Sequence, residues 1–154
     1  MKEAKRFKVI ECQGTPYEIG RQYGEGCRDS MQKSLEINFG LLCGGYNISR
    51  EELIAAAAKY LPNVTNFDPD LIEFIKGQAE GAGLNFAEAF ALRCTLEIGP
   101  YYPQLSALCT SFAATGAATA DGQTILGQNI DWYPGFPIDL LRIKQADGLV
   151  QLVL

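Results

Sequence analysis

A cysteine and two polar residues that could act with it lie in the last third of the chain. Cys109 opens a small, β-prone run, and Asn129 and Asp131 follow an Asp121-Gly122 pair. Asp-Gly between two such runs predicts a β-hairpin with a two-residue turn. Because adjacent strands lie about 4.8 Å apart, the hairpin should return both polar residues to the vicinity of the thiol. A nucleophile, an amide donor and an orienting carboxylate would then be neighbours.

A purely structural interpretation of these residues stays open. A single cysteine in a strand is most often a small buried hydrophobe. An aspartate near a turn commonly caps the local backbone. Residue type and spacing therefore leave both a catalytic cluster and ordinary hairpin packing as alternatives.

The sequence has no histidine, which restricts how a nucleophile could be activated. Histidine is the usual base beside a catalytic serine or cysteine, so such a mechanism would need an imidazole from elsewhere. The five cysteines are scattered and form no C-x-x-C pair. Zinc-binding spacings are therefore missing, and we expect neither a metal nor another cofactor.

Charge and composition limit the classes of partner that we expect this chain to bind. The formal charge is −5, and no Lys/Arg cluster could neutralise phosphates, so we expect no nucleic-acid binding. Apolar stretches stop short of the roughly 20 residues that span a bilayer, so we expect no membrane insertion. With no secretory signal and an odd number of cysteines, a cytoplasmic location is the simplest expectation.

The pattern is helical before about residue 100 and β-like afterwards, which predicts an α+β fold. Thr15 with Glu18, Ser49 with Glu52, and Asn85 mark helix starts. We predict helices over 16–39, from Ser49 through residues 55–58, over 69–83 and over 85–98, and strands over 7–12, 110–114, 124–129, 140–144 and 149–154. Gly20, Gly24 and Gly26 weaken the first helix and are typical of close packing rather than of a site.

The last predicted strand, residues 149–154, is apolar and contains no turn or polar tail. Natural proteins avoid leaving such an edge exposed. We therefore expect this chain to be the N-terminal piece of a longer polypeptide. A second chain, including another copy in a homo-oligomer, is the alternative cover.

Three segments resemble one known family. Cys109-Thr110-Ser111, then Asp121-Gly122 and the segment 127–132 (GQNIDW), match its nucleophile region. Residues 14–24 (GTPYEIGRQYG) and residues 80–84 (EGAGL) resemble two upstream elements. In this order over most of the chain, the segments are similar to the acyl-CoA:6-aminopenicillanic acid acyltransferase family. That family belongs to the N-terminal-nucleophile (Ntn) hydrolases and is related to the choloylglycine hydrolases.

The resemblance implies a specific organisation and chemistry. Residues 1–108 would be a mostly helical pro-region, and residues 109–154 the first strands of an αββα Ntn core. Family members cut themselves immediately before the cysteine, here at the Leu108–Cys109 bond. The freed α-amine then serves as base for the thiol, which takes up an acyl group from an amide or thioester.

The resemblance also assigns roles around the nucleophile. Asp131 would orient the amine or thiol, and Asn129 and Gln128 would line the same pocket. Thr110 or Ser111 would assist self-cleavage. Apart from the resemblance, the aromatic residues Tyr101, Tyr102, Trp132 and Tyr133 could wall a pocket for an aromatic or apolar acyl group, with core or loop packing as the alternative.

The implied substrate is a small acyl amide or an acyl-CoA-like molecule. Family members are about twice as long, so the C-terminal half of the same enzyme would supply the oxyanion hole. The alternative hypothesis is an uncleaved, non-catalytic fragment or relative that folds or associates without turnover.

Overall fold

Two units make up the chain in the computed structural model, which describes residues 8–98, 109–131 and 135–153. The larger unit comprises residues 1–100 and 137–154, and the smaller one residues 101–136. Helices and strands are both abundant, which confirms the α+β class. Residues 137–154 belong to the same unit as the N-terminal helices, and the boundary expected at residue 108 between pro-region and core stays a prediction.

The described part of the larger unit contains helices and three strands. The helices are α1 (Pro16–Gly26), α2 (Arg28–Tyr46), α3 (Arg50–Ala58), α4 (Leu61–Phe67), α5 (Pro69–Ala82), α6 (Phe86–Arg93) and α7 (Thr95–Ile98). The strands of this unit are β1 (Val9–Gln13), β4 (Leu140–Lys144) and β5 (Val150–Val153). The smaller unit contributes β2 (Cys109–Gly116) and β3 (Gly122–Ile130).

The predicted helix starts are confirmed by their capping geometry. Thr15, Ser49 and Asn85 each accept a hydrogen bond from the backbone N–H three residues later. The side chain of the glutamate at that third position accepts a hydrogen bond from the backbone N–H of the cap residue, which completes a capping box. Gly83 ends α5 in the left-handed conformation at φ 69°, where glycine carries no Cβ penalty.

The predicted helix over 16–39 is wrong in two respects. It is broken at Cys27, which lies between α1 and α2 and has a non-helical φ of −122°. The side chain of Cys27 is buried in the core. The second part then runs on to Tyr46 and ends at Asn47, a left-handed residue with φ 53°. Tertiary packing at Cys27 and the local tolerance of Asn47 for this conformation set both boundaries.

Two further features of the helices differ from the prediction. The helix predicted from Ser49 ends at Ala58, but α4, which follows it, was not predicted; Pro62 lies in the first turn of α4, where its missing N–H costs nothing. The helix predicted over 85–98 is interrupted at Cys94, whose N–H bonds to the carbonyls of Phe90 and Ala91.

Close packing of α1 against α5 depends on two pairs of glycines. A methyl group added at Gly20 would overlap the carbonyl oxygen of Phe74 and lie 2.8 Å from its carbonyl carbon. One added at Gly77 would overlap the carbonyl oxygen of Tyr17. One turn further along, a methyl group added at Gly24 would overlap the carbonyl oxygen of Gln78, and one added at Gly81 would overlap that of Arg21. The prediction that the α1 glycines permit close packing is therefore confirmed.

The sheet of the larger unit has the order β1-β4-β5. Strand β1 pairs with β4 in parallel, with Ile10 opposite Leu141, and β4 pairs with β5 antiparallel. Ile10 and Leu141 join Ile19, Cys27 and other buried residues in one core cluster. The strand predicted over 140–144 is confirmed in its bounds, whereas its pairing with an N-terminal strand was not foreseen.

The smaller unit is a hairpin in its described part. Strands β2 and β3 pair antiparallel from Cys109 opposite Ile130 to Ala114 opposite Ile125. The predicted two-residue turn is wrong, because Gly122 already pairs with Gly116 and residues 117–121 form the loop. The Asp121 carboxylate instead accepts a hydrogen bond from the Gln123 N–H at 3.0 Å, a local Asx turn.

Among the described residues, no helix is both long enough and apolar enough to cross a membrane.

Candidate functional site

Cys109 is the first residue of β2, and its thiol is exposed. Ile130 lies directly opposite on β3. Side chains of directly paired antiparallel residues project from the same face. Residues that are two positions apart on one strand also project from the same face. Ser111 and its partner Gln128 therefore share the face of the Cys109 thiol.

Asn129 lies on the other face of the hairpin, opposite Thr110. The expectation that Asn129 and Gln128 line one pocket is thus not met, because neighbouring strand residues alternate between faces. Asp131 directly follows β3 and is exposed. Leu108 and Trp132 lie outside the described residues.

Two contacts fix the register that separates these faces. On the face of Cys109, the hydroxyls of Thr115 and Thr124 are hydrogen-bonded at 3.0 Å. On the other face, the Phe112 ring covers Gly127, where an added methyl group would overlap it. The glycine leaves room for the ring, and the register determines that Gln128 rather than Asn129 shares the thiol's face.

Each face of this hairpin exposes large apolar side chains beside polar ones in the described part of the chain. Phe112 is 62% exposed, and Leu126 on the opposite face is 76% exposed. Burying such side chains would contribute about 1.5–3 kcal/mol each. The hairpin therefore has the composition of an inner layer.

The five thiols differ sharply in accessibility. Cys12, Cys27 and Cys94 are buried, Cys43 is partly buried and Cys109 is exposed. Burial and then Glu97 raise the pKa of Cys94 to about 11. Burial and then Glu11 raise the pKa of Cys12. Since the thiolate is the reactive form, these buried cysteines are poor nucleophiles at neutral pH.

Alkylation should therefore distinguish the cysteines. With limiting iodoacetamide at pH 8, we expect Cys109 to be modified first and Cys12, Cys27 and Cys94 at least about tenfold more slowly. Peptide mapping over time measures each rate. Equal rates at all five positions in the folded protein would contradict the described packing, and urea-unfolded protein supplies the equal-rate control.

A second polar cluster, which the sequence did not reveal, lies at the start of α2. The Asp139 carboxylate accepts a hydrogen bond from the Ser30 hydroxyl at 3.0 Å. Burial, and then Asp139 through its charge and a hydrogen bond, raise the pKa of the Cys27 thiol to about 12. Cys27 provides no side-chain cap for α2, and Asp29 in the first turn supplies the negative charge that this helix end favours.

This cluster should make stability sensitive to alkaline pH. The folded pKa of Cys27 lies above its ordinary value of 9.0, so its contribution is complete below pH 9 and lost as the pH rises towards about 12. We expect wild type to lose more unfolding free energy across this window than Cys27→Ala does. Urea unfolding at several pH values measures the difference, and parallel profiles would contradict the assignment.

No sequence signal indicates this contact, because Asp139 is 109 residues away from Ser30 along the chain. The hydrogen bond links the residue before β4 to the first turn of α2. Among residues 8–98, 109–131 and 135–153, no three Cys, Asp or Glu side chains are grouped to hold a metal ion.

No protein-family model matches this sequence. The resemblance to the penicillin acyltransferase family therefore depends on the three quoted segments and their order along the chain.

Proposed function

We propose that this chain is part of a self-processing cysteine Ntn amidohydrolase or acyltransferase, with Cys109 as the residue that carries the acyl group. The proposal includes an αββα core to which β2 and β3 belong. The observation that carries it is the accessible thiol at the first position of a strand, within the Cys109-Thr110-Ser111 segment. The exposed apolar side chains on both faces of the hairpin, Phe112, Ile125, Leu126 and Ile130, support its place in an inner layer.

Activation would begin with hydrolysis of the Leu108–Cys109 peptide bond, which consumes one water and frees an α-amine. Such an amine has a pKa of about 7.7–8.0 and a thiol about 8.5, so the proton can pass from sulfur to nitrogen near neutral pH. No histidine is required. This base exists only in the cleaved chain, which makes cleavage a condition for activity.

The acyl transfer itself would proceed in two balanced steps. The Cys109 thiolate attacks the carbonyl carbon, and the amine or thiol leaving group departs with the proton held by the α-amine. A thioester links the acyl group to Cys109. Water or an acceptor amine then attacks this thioester, loses a proton to the α-amine and releases an acid or a new amide.

The strand register supports different roles for the neighbouring side chains. Gln128 is the diagonal neighbour of Cys109 on the same face, at a Cα separation of about 7–8 Å that a long side chain can bridge. We assign it the donor role near the reacting carbonyl. Ser111, on that face too, is the better candidate than Thr110 for assisting cleavage. Asp131 keeps its proposed orienting role, and Trp132 its place in the acyl pocket.

The proposed enzyme acts on small acyl amides or acyl-CoA-like donors in the cytoplasm. Further sequence of the same enzyme would cover the hairpin and complete the oxyanion hole, which usually accounts for much of the catalysis in acyl transfer. A second copy of the chain is the alternative cover. We propose no cofactor.

Trapping the acyl-enzyme tests this function. The protein, as this chain and as any longer product of its gene, is incubated with a p-nitrophenyl acyl ester, quenched in acid and mapped by mass spectrometry. We expect one acyl group, on Cys109 of the cleaved species. Acylation spread over lysines and other cysteines would contradict the proposal, and an unmodified Cys109 would favour the non-catalytic alternative.

A further inference from the structure

A cleft of about 540 Å³ opens in the larger unit between the start of α1, the start of α5 and the β4–β5 turn. Its volume falls in the range of about 300–1,000 Å³ that is typical of small-molecule sites. Apolar side chains from three elements form its wall: Ile19, Leu71, Phe74 and Ile143. Ile19 is buried, whereas Leu71 remains 38% exposed and offers its side chain to a ligand.

Carboxylates stand on two sides of this apolar wall. Asp68 and Asp70 come from the start of α5, and Asp147 comes from the β4–β5 turn. No lysine or arginine is among the residues that line the described cleft. Three negative charges around an apolar recess favour a cation over a neutral or anionic molecule of the same shape.

Two of these carboxylates are held in place by the backbone. Asp68 Oδ1 accepts a hydrogen bond from the Leu71 N–H at 3.2 Å. Asp147 Oδ1 accepts one from the Leu149 N–H at 2.9 Å. Each bond uses one carboxylate oxygen, so the orientation of the charge is set before any ligand arrives, which reduces the entropy lost on binding.

We propose that this cleft binds a small amphipathic amine, with its alkyl or aryl body against Leu71 and Phe74 and its ammonium group between the carboxylates of α5 and Asp147. The apolar wall selects for a hydrophobic body, and the carboxylates select for positive charge. This site is independent of the chemistry proposed for Cys109.

Binding of n-hexylammonium to the ¹⁵N-labelled chain, followed by amide chemical shifts, tests the proposal. We expect saturable shifts at residues 68–74 and 143–147, weaker binding of hexan-1-ol and no binding of hexanoate. Raising the salt concentration should weaken the binding of hexylammonium but not that of hexan-1-ol, because exposed charges are screened. Equal affinity for hexylammonium and hexan-1-ol, or shifts confined to other residues, would overturn the proposal.

Variants separate the charge from the apolar wall. Asp70→Asn and Asp147→Asn should each lower the affinity for hexylammonium about two- to fivefold. Asparagine keeps an oxygen to accept the bond from Leu149, so the turn should persist. Glu51→Gln, on the exposed first turn of α3, is the matched control and should change nothing.

Leu71→Ser should weaken the binding of hexylammonium but leave the binding of methylammonium unchanged. If Asp70→Asn and Glu51→Gln behave alike while both spectra remain those of folded protein, the charge-based assignment is wrong.

Discussion

Replacing Gly77 by alanine is expected to lower the free energy of unfolding by about 3 kcal/mol, because the added methyl group overpacks the contact between α1 and α5. The added carbon would overlap the Tyr17 carbonyl oxygen and lie 2.8 Å from the Arg21 backbone nitrogen. Both are backbone atoms of α1, so no side chain can rotate away. The helices must separate, and the contacts along their whole interface weaken.

Gly40→Ala is the matched control, since Gly40 also lies inside a helix but has no neighbour within 4 Å of the added carbon. It should stabilise the protein by about 0.5–1 kcal/mol, because alanine loses less backbone entropy on folding than glycine. Urea unfolding of both variants measures the contrast. If Gly77→Ala matched Gly40→Ala, α1 and α5 would not be in contact through their glycines.

The largest effect on activity is expected at Cys109. Cys109→Ala should lower amide turnover by about 10⁴-fold or more relative to the self-cleaved wild type, because self-cleavage, the nucleophile and the covalent intermediate are all lost. Stability should change little, since the side chain is exposed and buries no core surface. Initial rates with an N-acyl substrate measure the loss.

Cys43→Ala is the control for a cysteine that is only partly buried and remote in sequence from the proposed site. Its turnover should equal that of wild type. Turnover retained by Cys109→Ala and lost by Cys43→Ala would transfer the nucleophile role to a different thiol and contradict the hairpin assignment.

Local signals predicted the parts of the fold that neighbouring residues determine. Thr15 and Ser49 marked helix starts because a capping box needs only four consecutive residues. The strand over 140–144 followed from its own apolar pattern. The close packing at Gly20 was also predictable in kind, although its partner on α5 was not.

Features that depend on distant residues were missed. The break at Cys27 accompanies burial of its side chain in a core cluster that includes Leu141, far along the chain, so the helical pattern of the sequence continued unchanged through it. The parallel pairing of β1 with β4 joins residues about 130 positions apart. Asn129 was placed with Cys109 because hairpin spacing predicts which residues are near each other. Only the exact register determines which face they share.

The central claim is that Cys109 becomes an amino-terminal nucleophile, and intact mass with N-terminal sequencing tests it most directly. This chain and any longer product of its gene are purified, each with and without Cys109→Ala. We expect such a longer product to yield a fragment beginning at Cys109, which is absent from the variant. A longer product in which residues 108 and 109 remain joined, in wild type as in the variant, would contradict it.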